Sequence, residues 1–220
     1  MSQINYKFAL LGDSAVGKTA IFKKLFTEQF VEASIQTIGI DKRTFNFNDL
    51  EFEIKGQKIK KSFEVSIFDT AGQDRYRSIA KNYIIGSDGI ILIYDITERK
   101  SFDHIETWLD SIKDVLSDWK LSDYLILLLG NKKDLVDDGS HDRAILESEA
   151  KKKCDDSELI WGGECSAKKF TKAQFFEIIE NFTRALYNKV GEKKKLNNIQ
   201  KKLEIIKKRV PVANYYNLTQ

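Results

Sequence analysis

The chain is poor in the residues that mark special environments. Among 220 residues there are one proline, two cysteines and one methionine. Cys154 and Cys165 are too few for a disulfide framework, so a reducing, cytoplasmic setting is the simplest expectation. The lone proline, Pro211, reads as compositional drift in a Lys/Asn/Ile-rich chain. No run of about 18 uncharged apolar residues exists, which excludes an expected membrane-spanning helix. The opening Met-Ser-Gln-Ile-Asn-Tyr-Lys has no apolar stretch or small-residue cleavage site of a secretory leader, and Met1-Ser2 carries no myristoylation signal. No internal repeat is visible. A basic surplus is also missing where a nucleic-acid surface would need one. From Lys189 onward nine Lys/Arg face two acids, so this tail is +7 and residues 1–188 carry −4 of the overall +3.

What is present is an alternation of strand and helix signals. Phe8-Ala9-Leu10-Leu11 is a short apolar run ending at Gly12. Residues 18–29 read as a helix with Ile21, Phe22, Leu25 and Phe26 on one face. Thr44–Asn48 and Phe63–Phe68 alternate as strands, and the polar stretch Asp49–Lys61 between them reads as a long hairpin tip. Gly89–Tyr94 and Tyr124–Leu129 are continuously apolar, as strands covered on both faces should be. Between these two, Phe102, Ile105, Leu109, Ile112 and Leu116 recur at helical spacing behind a Ser101 cap. Thr171 and Gln174 form a capping-box pattern ahead of Phe175, Ile179, Phe182 and Leu186. The expected fold is α/β, a mostly parallel sheet with helices on both faces, and such sheets bind ligands at the carboxyl ends of their strands.

Two motifs fall at such ends. Gly12-Asp13-Ser14-Ala15-Val16-Gly17-Lys18-Thr19 fits G-x-x-x-x-G-K-[ST] between a strand and a helix. Its glycines let successive N–H groups turn toward phosphate oxygens, and the following helix adds partial positive charge. Lys18 is placed to bridge β- and γ-phosphates, and the Thr19 hydroxyl to coordinate Mg²⁺. This loop alone does not separate ATP from GTP. Asn131-Lys132-Lys133-Asp134 follows the later apolar strand. The Asp134 carboxylate can accept from guanine N1–H and N2–H₂, which adenine lacks, and a mismatch would leave it desolvated and unpaired. Asn131 can reach N7, and the Lys132 stem can cover the ring.

With these motifs in order, the sequence resembles a Ras-superfamily small GTPase, and within that superfamily the Rab branch, over roughly residues 5–188. The resemblance implies a P-loop NTPase G domain with a six-stranded sheet. It implies nucleotide contacts along Gly12, Asp13, Ser14, Ala15, Val16, Gly17, Lys18, Thr19 and Ala20, with GTP/GDP and Mg²⁺ as cofactors. In Asp69-Thr70-Ala71-Gly72-Gln73 it implies that Asp69 holds Mg²⁺ through water, that the Gly72 N–H contacts the γ-phosphate, and that Gln73 orients the attacking water. Thr37 matches the threonine whose hydroxyl reaches Mg²⁺ when GTP is bound. Phe30 matches the aromatic at the guanine edge. In Glu164-Cys165-Ser166-Ala167-Lys168, which resembles the family's Ser-Ala-Lys loop, the backbone of Ser166 and Ala167 would read guanine O6, with Lys168 also at the nucleotide and Cys165 as a small packing residue. Gln73, Lys18 and Thr37 would carry the catalysis.

Three features depart from the Rab pattern. Lys42 stands where an aromatic usually joins two others, here Phe68 and Tyr83, in an effector-binding surface. The 46–63 hairpin is about nine residues longer than that branch leads one to expect. The last ten residues hold no cysteine, so no prenyl anchor is expected. Instead Leu196, Ile199, Leu203, Ile206 and Val210 recur at heptad spacing among lysines, which predicts a helix over 192–209. The domains are read as 1–188 and 189–220. Two functions stay open. One is a Rab-like GTP/GDP switch with slow hydrolysis, serving intracellular transport and meeting protein partners through residues 30–41 and 69–79. The other is a subunit of a larger assembly that keeps the fold and a bound nucleotide without cycling. A partner protein, the chain's own domain or weak contact with an anionic membrane are the alternatives for the basic tail.

Overall fold

The computed structural model describes residues 3–26, 40–54, 56–70, 84–115 and 124–209, with those from 191 onward described as backbone. The chain divides into two units, Met1–Phe182 and Thr183–Gln220.

In the first unit, six strands form one sheet in the order β2-β3-β1-β4-β5-β6. The strands are β1 (Ile4–Leu11), β2 (Ile40–Ile54), β3 (Gln57–Thr70), β4 (Gly89–Asp95), β5 (Leu125–Asn131) and β6 (Ile160–Glu164). Only the edge strand β2 is antiparallel to its neighbour; every other pair is parallel. Among the described residues the helices are α1 (Lys18–Phe26), α2 (Arg99–Val115), α3 (Lys133–Asp137), α4 (Glu147–Asp156) and α5 (Lys172–Arg209). α5 begins in the first unit and runs into the second.

Continuous burial explains the central strands. Every residue of β4 and β5 is buried, as parallel strands flanked by helices require. Helices cover both faces. Phe182 of α5 meets Phe8 on one face at a ring separation of 4.8 Å, and lies so close to Gly89 that a β-carbon there would collide with it. Five residues along β4, and so on the opposite face, Tyr94 meets Phe102 of α2 at 5.1 Å. Phe26 of α1, Phe45 of β2 and Phe176 of α5 form a further aromatic chain on the α5 side.

Two expectations need correction. Asp49–Lys61 is not a polar tip. β2 and β3 stay paired to Ile54 opposite Gln57, past a bulge between Phe47 and Leu50 where Asp49 adopts φ 54°. Beyond the bulge Leu50 and Phe52 are buried and Glu51 and Glu53 exposed, a period-2 alternation that extends the sheet. Phe52 packs 5.7 Å from Phe63. Ser101, in turn, does not cap α2 from outside. It lies in the first turn, where its Oγ donates to the Glu98 carbonyl at 2.8 Å and accepts the Asp95 N–H at 3.0 Å. The Thr171/Gln174 capping box forms in both directions, at 2.9 and 3.3 Å. The α5 backbone is helical through Arg209. Among the described residues no helix is long and apolar enough to cross a membrane.

Candidate functional site

The parallel register brings five chain segments to one edge of the sheet. Gly12 follows β1, Asp69 lies beside Leu10 near the end of β3, Asp95 ends β4 opposite Asn131 of β5, and Glu164 ends β6 opposite Gly130. Each is the carboxyl end of a parallel strand, where an open α/β sheet leaves its crevice.

The loop from Gly12 to Thr19 curls back on itself. Gly12 has φ 136°, and a β-carbon there would stand 2.2 Å from the Ile93 carbonyl oxygen. Gly17 has φ 98°, and its β-carbon would stand 2.2 Å from Asn131 Nδ2. Both positions therefore exclude any side chain. Ala15 also takes a left-handed φ of 66°. Val16 and Lys18 are buried, Asp13, Thr19 and Ala20 half-buried, and Ser14 exposed. The Lys18 ammonium donates to the carbonyls of Gly12 and Asp13 at 2.8 and 2.6 Å. Burial pushes it down to about 8, against the pull of Asp69 and Asp13. This cation stands at a helix N-terminus in a loop of inward-curling backbone, an arrangement that favours an anion.

Asp69 is the second element of the site. Thr19 Oγ1 donates to its Oδ2 at 2.6 Å, while its buried Oδ1 has no hydrogen-bond partner among the described residues. Burial pushes the Asp69 carboxyl above the usual carboxylate range, offset in part by the Thr19 hydroxyl and the Lys18 charge. An orphaned carboxylate oxygen beside a hydroxyl is the hard-oxygen donor set of Mg²⁺, which is held by one or two carboxylates together with substrate phosphates. The residues present fit that ion.

The third element is a web of hydrogen bonds among three loops. Asn131 Nδ2 donates to the Val16 carbonyl at 2.8 Å, and its Oδ1 accepts the Ala167 N–H at 3.1 Å. Ser166 Oγ donates to Asp134 Oδ1 at 2.6 Å. Cys165 N–H bonds the Gly130 carbonyl, and Lys133 N–H bonds the Cys165 carbonyl. Lys132 sits at φ 69°, its ammonium 2.6 Å from Asp95 Oδ2. Asp134 and Ser166 are buried, and Lys168 is exposed at the rim. Cys165 is fully buried, and burial together with the charges of Asp134 and Glu164 raises its thiol well above its ordinary value. A thiol held in that form packs and does not react. Arg143 clamps the end of β6 through two bonds to Glu164, at 2.5 and 2.9 Å.

The structure thus joins Gly12–Ala20, Asp69, Asn131–Asp134 and Ser166–Lys168 along one edge. Phe30, Thr37, Gly72, Gln73 and Tyr83 lie outside the described residues. Lys42 is exposed on β2, its ammonium 5.9 Å from the centre of the Phe68 ring opposite. Sequence reasoning missed Asp95 and Arg143. The only signal for Asp95 was an acidic residue closing an apolar strand two positions before Thr97, whose N–H and hydroxyl both bond its Oδ1.

The Ras family model matches residues 7–188. The chain is 43% identical to Ras-related protein Rab-10 of Caenorhabditis elegans over 132 residues, 60% of this chain and 59% of that protein. It is 35% identical to GTP-binding protein ypt1 of Schizosaccharomyces pombe over 169 residues, 77% of this chain and 74% of the relative. It is 36% identical to Ras-related protein Rab-1 of Theileria annulata over 189 residues, 85% and 76% of the two chains. The chain thus spans about three fifths of the Caenorhabditis relative's length and about three quarters of the other two.

Proposed function

The chain belongs to the Ras family, close to its Rab members, and from that premise we propose that it is a small GTPase that alternates between GTP and GDP. The reading rests on one observation above all: the Asn131 amide ties the phosphate loop at Val16 to the loops carrying Asp134 and Ala167. Phosphate grip and base recognition are thereby built on a single hydrogen-bonded scaffold. In the working cycle, Lys18 turns its desolvated ammonium from its own loop carbonyls to the β- and γ-phosphates. Asp134, oriented by Ser166, accepts from the guanine edge. Asn131 and the backbone of Ser166 and Ala167 meet N7 and O6, and the Lys132 stem, steadied by Asp95, covers the ring. Mg²⁺, held by Thr19, Asp69 and Thr37, would supply charge neutralisation at the phosphates. Phe30, Gly72 and Gln73 complete the site by resemblance.

Hydrolysis is slow in this reading, on the order of 10⁻⁴ s⁻¹ without an activating arginine from a partner. The protein acts in the cytoplasm as a traffic switch, met by partners through residues 30–41 and 69–79. A G domain of residues 1–188 carries a basic extension, 189–220. That extension docks on a partner protein through its heptad stripe; the helical backbone through Arg209 supports this reading. The test is nucleotide content of the purified protein together with single-turnover hydrolysis. Bound guanine nucleotide and slow turnover, slower still in Gln73→Leu, are expected. Bound GTP that never turns over, even with cell extract, would replace the switch with a non-cycling subunit.

A further inference from the structure

Asp13 belongs to the phosphate loop, yet its side chain is held from outside that loop. Its Oδ2 lies 2.6 Å from His104 Nδ1, and its Oδ1 accepts the Trp108 indole N–H at 2.9 Å. His104 and Trp108 stand four residues apart on α2, and so on one face of that helix. Trp108 is buried, while His104 and Asp13 are half-covered. The backbone carbonyl of the same Asp13 accepts the Lys18 ammonium at 2.6 Å. One residue therefore links α2 to the cation that would grip the phosphates.

A carboxylate in this loop poses an electrostatic problem. Phosphate oxygens carry charge of the same sign, and at short range in a partly dry site their repulsion is barely screened. Two donors aimed at both carboxylate oxygens hold the side chain against α2 and fix the backbone of residue 13. Resting on the nucleotide site read above, we propose that His104 and Trp108 are positioning residues that hold the phosphate loop closed through Asp13 and so set the rate of nucleotide release. Without them the Asp13 carboxylate is free to swing, its carbonyl loses its direction toward Lys18, and the loop opens more often.

The experiment follows release of N-methylanthraniloyl-GDP from the full-length protein in excess Mg²⁺ and unlabelled GDP. Two substitutions at His104 separate the donor from the space it fills. Asparagine places an N–H where Nδ1 stands; leucine has a similar outline and no donor. His104→Leu is expected to speed release at least about tenfold, the equivalent of one charged hydrogen bond at the low end of its range. His104→Asn is expected to stay within about twofold of wild type. Trp108→Phe should act like His104→Leu, although the half-exposed histidine is the safer site for folding. In an Asp13→Ala background the His104→Leu effect should vanish, because groups acting through one residue are not additive. Labelled GDP that fails to bind the wild type would overturn the nucleotide reading itself. Tight binding with an unchanged release rate in His104→Leu would overturn the clamp alone. So would a His104→Leu effect that persists without Asp13, since α2 would then act by general packing.

Discussion

Lys18 and Asp134 show how single residues divide the work of the site. The Lys18 ammonium is buried and donates to the Gly12 and Asp13 carbonyls, and its folded value of about 8 lies below its ordinary 10.5. Between these values the unfolded chain binds the proton more tightly, so the nucleotide-free protein gains stability as pH rises through that window. At neutral pH the cost of the buried charge is present in full. Lys18→Met should therefore stabilise the nucleotide-free protein, by about 2 kcal/mol once lost hydrogen bonds are set against relieved desolvation. It should also abolish GTP binding. Chemical denaturation of stripped protein checks the first effect and equilibrium titration the second. On the proposed reading Asp134 carries specificity. Asp134→Asn should weaken GTP about 10- to 100-fold by removing charge-assisted bonds and admit xanthine nucleotide, whose base edge offers an acceptor to the new amide. Competition titration with GTP, XTP and ATP tests this, and wild-type protein that binds ATP within tenfold of GTP would defeat it.

Elements behave more independently than residues of the site. The hairpin extension past Asp49 lies at the start of β3, and the nucleotide edge at its end. Phe52→Ala should cost about 3 kcal/mol by emptying a buried aromatic position. Its effect on GDP affinity should stay within experimental error, which denaturant unfolding and titration resolve separately. Deleting residues 190–220 should likewise leave nucleotide binding intact but release the protein from a large complex in size-exclusion of cell extract. A truncated protein that loses nucleotide would place the helix against its own domain. The sequence was most legible where apolar residues run unbroken, in β4 and β5, and in the motif loops 12–19 and 131–134, which the structure brings into hydrogen-bond contact. It was least legible where period and composition disagreed. Leu50 and Phe52 alternate with glutamates, and the charge count masked the strand period. The link from Asp13 to His104 and Trp108 gave no signal, because more than ninety residues separate the loop from the helix.

Taken as a whole molecule, the protein stores unfavourable electrostatics that a ligand relieves. Lys18 is a desolvated cation, and Asp69 a desolvated carboxylate with one oxygen unpartnered among the described residues. On the proposed reading anionic phosphates would satisfy the first and a divalent cation the second. Mg·nucleotide should thus raise Tm far more than nucleotide with EDTA. The gain should grow with the logarithm of ligand concentration, about 4 kcal/mol at a thousandfold excess over Kd. Differential scanning calorimetry of stripped, GDP-loaded and Mg·GDP-loaded protein measures each step, and equal Tm values with and without Mg²⁺ would remove Thr19 and Asp69 as its ligands. The long β2–β3 hairpin has a mechanical consequence as well. From Gln57 to Asp69 the strand covers about 40 Å, so a partner grasping the tip holds a lever ending beside the proposed phosphate site. Pulled sideways at the tip, antiparallel strands separate pair by pair, and the break in register between Phe47 and Leu50 is where such unzipping would first pause. Pulled along its length, β3 loads its whole row of bonds to β1 at once, in shear. The hairpin would therefore yield at its tip under a transverse load and transmit an axial one to the nucleotide edge.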